Sequence, residues 1–144
     1  MSTDVEKAIP KTPEKLVIIG FQSNNLANSY IVQVTNTVRK EAAKFEGIQI
    51  ISQGQVDSSL RYGKISKNQA INTTGLAKQF GRSLGAQKVI TGLVSQIDDL
   101  YIISLSLSNT MNEESRSSTK NYRGSFNNFL SNAVKDAVYA VLEN

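Results

Sequence analysis

The sequence predicts an α/β fold, an α+β sandwich in which helices pack on a mixed β-sheet in the order β-α-β-α-β-β-β-α. Residues 16–19 form a continuous apolar run, which is typical of a strand buried on both faces. Apolar residues at steps of three and four then indicate amphipathic helices. Two β-branched stretches on either side of residues 98–100 predict a hairpin, because only a short turn separates them.

The first strand and the first helix have the clearest patterns. The strand runs from Lys15 to Phe21. A long helix should follow from Ser23 or Asn24, and Gly47 should be its C-terminal cap. The apolar stripe of this helix consists of Leu26, Tyr30, Val34, Val38, Ala42 and Phe45.

A short second strand over residues 48–51 and a long connection come next. The connection, Ser52 to Asn72, is rich in Ser, Gln and Gly, and a one-turn helix fits at Val56 to Leu60. Thr73 or Thr74 can cap the following helix, since threonine side chains accept hydrogen bonds from the first turn. That helix carries Leu76, Ala77, Phe80 and Leu84.

The second half of the chain predicts three strands and a closing helix. Val89–Ile97 and Tyr101–Leu107 form the hairpin, and the second strand alternates between an apolar face and a polar one. Ser115–Gly124 is polar and basic, which is the composition of a sheet edge. A final amphipathic helix begins near Asn127. We therefore expect a leader over residues 1–14 and a single domain over residues 15–144.

The composition excludes most catalytic chemistry. The chain has no Cys and no His, so thiolate nucleophiles, imidazole bases and Cys/His metal sites are absent. The pairs Asp98-Asp99 and Glu113-Glu114 fall at predicted turns, where acidic residues are solvated or cap the backbone. No phosphate-binding loop motif occurs. We expect no catalytic residues, no cofactor and no metal, and hence no enzyme.

The charge of the chain is diffuse. Sixteen basic and twelve acidic residues give a net charge of +4 without a basic block, so nucleic acid is not the expected partner. The alternative hypothesis is a cytosolic domain that binds nucleic acid or a small ligand. It rests on the net charge and on the basic residues between Arg116 and Arg123. No apolar run approaches the roughly 20 residues of a membrane-spanning helix.

The segment Ala77 to Val94, AKQFGRSLGAQKVITGLV, resembles a signature of the curli-secretion (CsgG), TolB amino-terminal-like and LpoB-type lipoprotein superfamily. The resemblance extends in element order from Lys15 to the C-terminus and implies a TolB amino-terminal, anticodon-binding-like fold. It also implies a non-catalytic protein-binding or assembly domain in the periplasm or at the outer membrane, of lipoprotein origin, with its targeting segment outside this chain. The implied partner is an envelope protein, such as a peptidoglycan synthase, a secretion component or a Tol-type component, or a second copy.

Four small residues of this segment should determine the fold. Gly81 should let the helix approach the sheet, and Gly85 should end the helix. Ala86 is small enough for a tight turn. Gly92 should lie in a strand where a helix packs against the backbone.

Two surfaces are candidates for partner binding. The first is the predicted edge strand with Arg116, Lys120, Tyr122 and Arg123, because an edge offers free backbone groups to which a partner strand can pair. Proline at Thr119 or Lys120 should then abolish binding. The second is the long connection, where Leu60 and Tyr62 have no apolar stripe to join.

Overall fold

The computed structural model describes residues 13–63, 66 and 74–143, and these form a five-stranded mixed sheet with helices on both faces. In chain order the elements are β1 (Glu14–Asn24), α1 (Asn28–Ala42), β2 (Ile48–Ile50), α2 (Gln53–Gly63), α3 (Thr74–Ser83), β3 (Lys88–Ile97), β4 (Leu100–Asn109), β5 (Ser115–Arg123) and α4, which comprises Phe126–Phe129, the π-helical turn Leu130–Val134 and Lys135–Leu142.

The strands lie in the order β2-β1-β3-β4-β5. β1 is parallel to both β2 and β3, whereas β3, β4 and β5 form an antiparallel meander. The apolar run at the start of β1 is buried on both faces, as predicted, with Leu16 to Ile19 at most 1% exposed. The predicted mixed sheet and order of elements are therefore confirmed, with β5 at one edge.

Two apolar cores lie on opposite faces of the sheet. The larger core packs α1 and α4 against β1, β3, β4 and β5, with Phe129 fully buried at its centre. The smaller core packs α2 and α3 against the start of β1 and of β3, through residues such as Val17 and Val89. Beyond this smaller core, the same face of β3, β4 and β5 is half-exposed or exposed. It combines polar residues with the apolar Leu93, Ile97, Leu100 and Ile102.

The predicted boundaries of the first helix are wrong at both ends. β1 continues to Asn24, and Asn25 then adopts a φ of 66° that breaks the strand before α1 begins at Asn28. α1 ends at Ala42, so Gly47 is not its C-terminal cap. Gly47 instead has a φ of 79° in the turn before β2, and its carbonyl accepts the Glu14 N–H at 2.8 Å.

Helix α2 is the largest difference from the sequence prediction. A single turn was expected, but Gln53–Gly63 forms an eleven-residue helix. Val56 and Leu60 lie four residues apart on one face and are buried in the smaller core. Burial of this short apolar face stabilises a helix whose polar composition does not indicate one.

The other boundaries differ by one to three residues. β1 begins at Glu14, which was assigned to the leader, while the rest of the leader, residues 1–12, and the predicted cap Thr73 lie outside the described residues. β3 begins at Lys88 and β4 extends over Leu100–Asn109. Ser125 is the N-cap of α4, and its hydroxyl accepts the Asn128 N–H at 3.2 Å.

Arg39 joins α1 to the edge of β1 that β2 leaves uncovered. The pairing of β1 with β2 ends at Leu16, and the Arg39 guanidinium donates to the carbonyls of Ile18 at 3.3 Å and Ile51 at 2.9 Å. It also donates to Gln53 Oε1 at 2.7 Å. Burial lowers the pKa of Arg39 below its ordinary value, and the nearby carboxylate of Asp57 partly offsets this effect.

We expect Arg39→Met to lower the free energy of unfolding by about 1–3 kcal/mol, because it removes the donor that reaches two backbone carbonyls at the sheet edge. Arg39→Lys should recover only part of this loss, since an ammonium lacks the planar fork that contacts three acceptors. Urea unfolding of the three proteins measures the difference. Equal midpoints for wild type and Arg39→Met would show that these hydrogen bonds contribute nothing net.

Candidate interaction surface

Strand β5 forms a free edge of the sheet, as the sequence predicted. Among the described residues it pairs with β4 only. Its residues are small or polar, and alternate residues are exposed. The opposite edge is very different, because β2 spans only three residues. β5 is therefore the longer of the two edge strands available to a partner.

The hydrogen-bond phase of the hairpin determines which backbone groups of β5 face outward. The Asn109 N–H donates to the Glu114 carbonyl at 2.9 Å, and the Gly124 N–H donates to the Asp99 carbonyl at 3.1 Å. Both pairs belong to the register of β4 and β5, in which bonded and non-bonded pairs alternate. Arg116, Ser118, Lys120 and Tyr122 therefore bond to β4, whereas Ser115, Ser117, Thr119, Asn121 and Arg123 present their N–H and C=O groups to the free edge.

This phase corrects one of the two proposed proline substitutions. The N–H of Lys120 belongs to the ladder with β4, opposite Ile103. Proline at Lys120 would remove a hydrogen bond inside the sheet and would disturb the fold itself. The N–H of Thr119 faces outward, so proline at Thr119 removes only a group that a partner could use.

The predicted basic strip is divided between the two faces of the sheet. Arg116 and Lys120 lie in register with buried residues of β4, and Tyr122 lies in register with the partly buried Tyr101. All three side chains therefore face α4. Tyr122 packs against the larger core, and Arg116 donates to the Glu143 carbonyl at the end of α4. Arg123 lies on the opposite face.

Arg123 also forms an ion pair with the carboxylate of Asp99 in the β3–β4 turn. Its charge is thus matched locally by an acidic residue. No continuous basic strip runs along one face of β5, and the geometry does not favour the nucleic-acid alternative.

The second candidate surface, α2, separates into a buried residue and an exposed one. Leu60 is 7% exposed and belongs to the smaller core, so its assignment as an interaction residue is wrong. Tyr62 is 94% exposed. The two residues lie about 200° apart around a helix, since each residue advances it by about 100°. The sequence did not show this because the predicted helix was a single turn, Val56 to Leu60, and Tyr62 lay outside it.

The acidic pairs lie in turns, as expected. Asp98 has a φ of 55° in the two-residue turn between β3 and β4, a conformation that Asp tolerates better than most residues. Glu113 lies 3.7 Å from the Lys78 ammonium, and the Glu114 N–H donates to Asn112 Oδ1. Within the described part of the chain, no group of three acidic side chains could hold a metal ion.

Gly81, Gly85 and Ala86 occupy the positions that the sequence predicted for them. A Cβ at Gly81 would lie 2.9 Å from Thr110 Cγ2. Because glycine has no Cβ, α3 can approach the sheet closely. Gly85 ends α3 with a φ of 74°. The Ala86 N–H then donates to the Gly81 carbonyl at 2.9 Å and the Gly85 N–H to the Arg82 carbonyl at 3.0 Å, which is a Schellman motif.

Gly92 has a different neighbour from the one predicted. Among the described residues, its nearest neighbours belong to strands and not to a helix. A Cβ at this position would lie 2.5 Å from the Ser104 carbonyl oxygen and 2.7 Å from the Phe21 ring, which comes from the adjacent strand β1. The absence of a side chain thus accommodates an aromatic ring of the larger core.

A cleft of about 410 Å³ at the end of the sheet was not predicted. Leu107 and Val141 form an apolar floor between β4 and the end of α4. Its rim includes Lys88 and Arg116. The Lys88 ammonium forms an ion pair with the Glu14 carboxylate at 3.5 Å. No sequence signal could have identified it, because its walls come from three strands and a helix that are distant in the chain.

Known protein structures share this fold, although no protein-family model and no curated protein matches the sequence. The LpoB C-terminal domain from Salmonella enterica superposes with a TM-score of 0.66 at 17% identity, covering 85% of this chain and 92% of that one. Lipoprotein GNA1162 from Neisseria meningitidis superposes with a TM-score of 0.67 at 11% identity, covering 90% and 99%. TolB from Acinetobacter baumannii superposes with a TM-score of 0.59 at 16% identity, covering 93% of this chain and 29% of the TolB chain.

The chain has the LpoB-like and TolB-like fold that the segment Ala77–Val94 indicated. At these identities the similarity establishes the fold and does not transfer an activity or a partner. The resemblance to the curli-secretion branch stays a prediction from sequence. None of the described helices is both long enough and apolar enough to cross a membrane.

Proposed function

We propose that this protein is a non-catalytic docking domain of the bacterial cell envelope, which binds another envelope protein along strand β5. The free edge of β5 carries the proposal, because five of its residues direct backbone N–H and C=O groups away from the sheet. Such groups form a template for strand addition by an extended partner segment. The fold shared with the LpoB C-terminal domain and with lipoprotein GNA1162 supports an envelope role.

The composition supports a binding role over a catalytic one. A chain without Cys or His would have to use carboxylates, Lys, Tyr or hydroxyls for any reaction. The carboxylates Asp98, Asp99, Glu113 and Glu114 lie in exposed turns. Exposed turns keep these side chains in water, whereas catalytic groups usually act where water is excluded.

Thr119→Pro should abolish capture of the partner from a detergent extract of cell envelopes while the sheet stays intact. Thr119→Ala is the matched control. Both substitutions remove the hydroxyl that bonds to Ser104 Oγ at 2.9 Å, but only proline removes the outward N–H. We expect Thr119→Ala to capture the same envelope protein as wild type and Thr119→Pro to lose it, with similar circular dichroism spectra.

Two results would contradict the proposed function. Equal capture of the envelope protein by Thr119→Pro and Thr119→Ala would mean that β5 is not the docking surface. Capture of only nucleic acid or cytosolic proteins, with retention that falls steeply as salt rises, would favour the cytosolic nucleic-acid alternative.

A further inference from the structure

One face of the antiparallel half of the sheet is accessible to solvent. Among the described helices, α2 and α3 lie on this side, and they cover only the start of β1 and of β3. The rest, which we call the outer face, consists of residues 93, 95 and 97 of β3, residues 100, 102, 104 and 106 of β4, and residues 117, 119 and 121 of β5. All ten residues are half-exposed or exposed.

The outer face carries no charge. Charged residues make up 19% of the chain, but none of the ten residues of the outer face is charged. The next residue of the same row in β5 is Arg123, which lies at the corner and pairs with Asp99. Depletion of charged residues distinguishes the centre of a protein interface from the rest of the surface. The composition of the outer face is therefore that of an interface centre with a charged rim.

One end of the outer face is aliphatic. Ile97 and Leu100 lie directly opposite each other beside the β3–β4 turn, and Ile97 is 57% exposed. Leu93 and Ile102 continue the aliphatic end toward the middle of the strands. Alternation in an antiparallel sheet normally places polar residues on a solvated face. Adjacent apolar residues on such a face are typical of a surface that contacts another protein.

The other end of the outer face carries hydroxyl groups. Ser104 Oγ and Thr119 Oγ1 lie 2.9 Å apart, and either oxygen can be the donor. Ser106 and Ser117 form the next opposite pair of the register. Because a hydroxyl both donates and accepts, an array of hydroxyls is complementary to an identical array. An array of like charges is not, since two copies would repel each other.

These two ends make the outer face complementary to itself. In a two-fold dimer the same patch lies on both sides of the interface. A two-fold axis parallel to the strands places the aliphatic end of one copy on the aliphatic end of the other, and hydroxyls on hydroxyls. The net charge of +4 opposes the approach of two copies, so an uncharged patch is where they can meet at the lowest electrostatic cost.

We infer that the outer face binds the outer face of a second copy, in a two-fold dimer whose sheets stack face to face. Burial of the aliphatic end favours association, and hydrogen bonds between the hydroxyls prevent unsatisfied polar groups. The outward N–H and C=O groups of β5 lie in the plane of the sheet and stay accessible. The inference therefore goes beyond the proposed function and does not depend on it.

Sedimentation equilibrium of the full chain tests the inference. The outer face is small compared with the roughly 800 Å² that each partner buries in a stable complex, so we expect a weak dimer. Over concentrations from roughly 10 μM to 1 mM, which suit a weak interface, the average mass should rise from one chain toward two. It should rise no further, because a two-fold contact is closed.

Two pairs of variants make the test specific to the outer face. Ile97→Lys should raise the dimer Kd at least roughly tenfold, because the interface then brings two ammonium groups together. Val32→Lys is the matched control, since Val32 lies on α1, is also 57% exposed and gains the same charge. Ser106→Lys should weaken the dimer similarly, whereas Ser131→Lys on the exposed side of α4 should not. Urea unfolding checks that each variant is folded.

The outcomes separate this inference from the proposed function. The mass of a single chain at every concentration would overturn the inference, as would growth beyond two chains. Association that Ile97→Lys and Ser106→Lys leave unchanged, or that Val32→Lys and Ser131→Lys weaken equally, would overturn it too. Ile97→Lys should capture the envelope protein as wild type does, because it leaves the edge of β5 intact. Unchanged capture by Thr119→Pro would contradict the proposed function alone.

Discussion

Phe129→Ala should lower the free energy of unfolding by about 3–5 kcal/mol, the largest loss that we expect from a single truncation in this protein. Phe129 is fully buried in α4 and is the largest of the fully buried side chains in the described part of the chain. Its ring stacks on Tyr101 of β4 with a centroid distance of 5.2 Å and lies 5.9 Å from the Phe126 ring. Truncation removes these contacts and leaves a cavity between α4 and the sheet.

The measurement is thermal and urea unfolding followed by circular dichroism. A loss of this size corresponds to a fall in Tm of roughly 10–15 °C for a chain of this length. Tyr62→Ala is the matched control, because it also removes an aromatic ring from a helix, but from a side chain that is 94% exposed. It should change stability by less than about 0.5 kcal/mol. Similar losses for both variants would contradict the placement of Phe129 at the centre of the core.

Gly92→Ala should destabilise the protein by about 3 kcal/mol, although the substitution adds a single methyl group. The new Cβ would lie 2.5 Å from the Ser104 carbonyl oxygen on β4 and 2.7 Å from the Phe21 ring. β3 lies between β1 and β4, so its backbone cannot move away without losing hydrogen bonds to one of these strands. Strain between strands is therefore unavoidable.

Gly54→Ala provides the control for Gly92→Ala. A Cβ at Gly54 would meet no atom within 4 Å, and the residue lies in helix α2. The variant should be neutral or up to about 1 kcal/mol more stable, because alanine favours the helix. In addition, Phe21→Ala should reduce the cost of Gly92→Ala in a double-mutant cycle, since it removes the ring atoms of the clash. Additive effects would contradict the contact between Gly92 and Phe21.

The two candidate surfaces differ in how far sequence could identify them. The edge position of β5 was predictable, because a polar strand with three cations next to an apolar hairpin is typical of an edge. The division of its residues between two faces was also contained in the alternation of the strand. The sequence did not show which residues of β5 bond to β4, since this depends on the pairing of Asn109 with Glu114 across the turn. This hydrogen-bond phase decides which proline substitution tests docking.

Helix α2 shows why the connection was misjudged. Its sequence, QGQVDSSLRYG, contains two glycines and several polar residues, so local propensity does not favour a helix. Val56 and Leu60 stabilise it only because β1 and α3 provide an apolar surface for them. The same contact makes Leu60 a core residue and leaves Tyr62 in solvent.

By itself, the sequence determined the element order, the buried strand β1, the Gly85 turn after α3 and the absence of Cys- and His-based chemistry, because each depends on local composition or on spacing within one element. The tertiary structure decided the length of α2, the contact of Gly92 with Phe21, the outward-facing groups of β5 and the cleft at the end of the sheet. These features depend on residues that are far apart in the chain. Their energies arise from packing and pairing between elements, which no local pattern records.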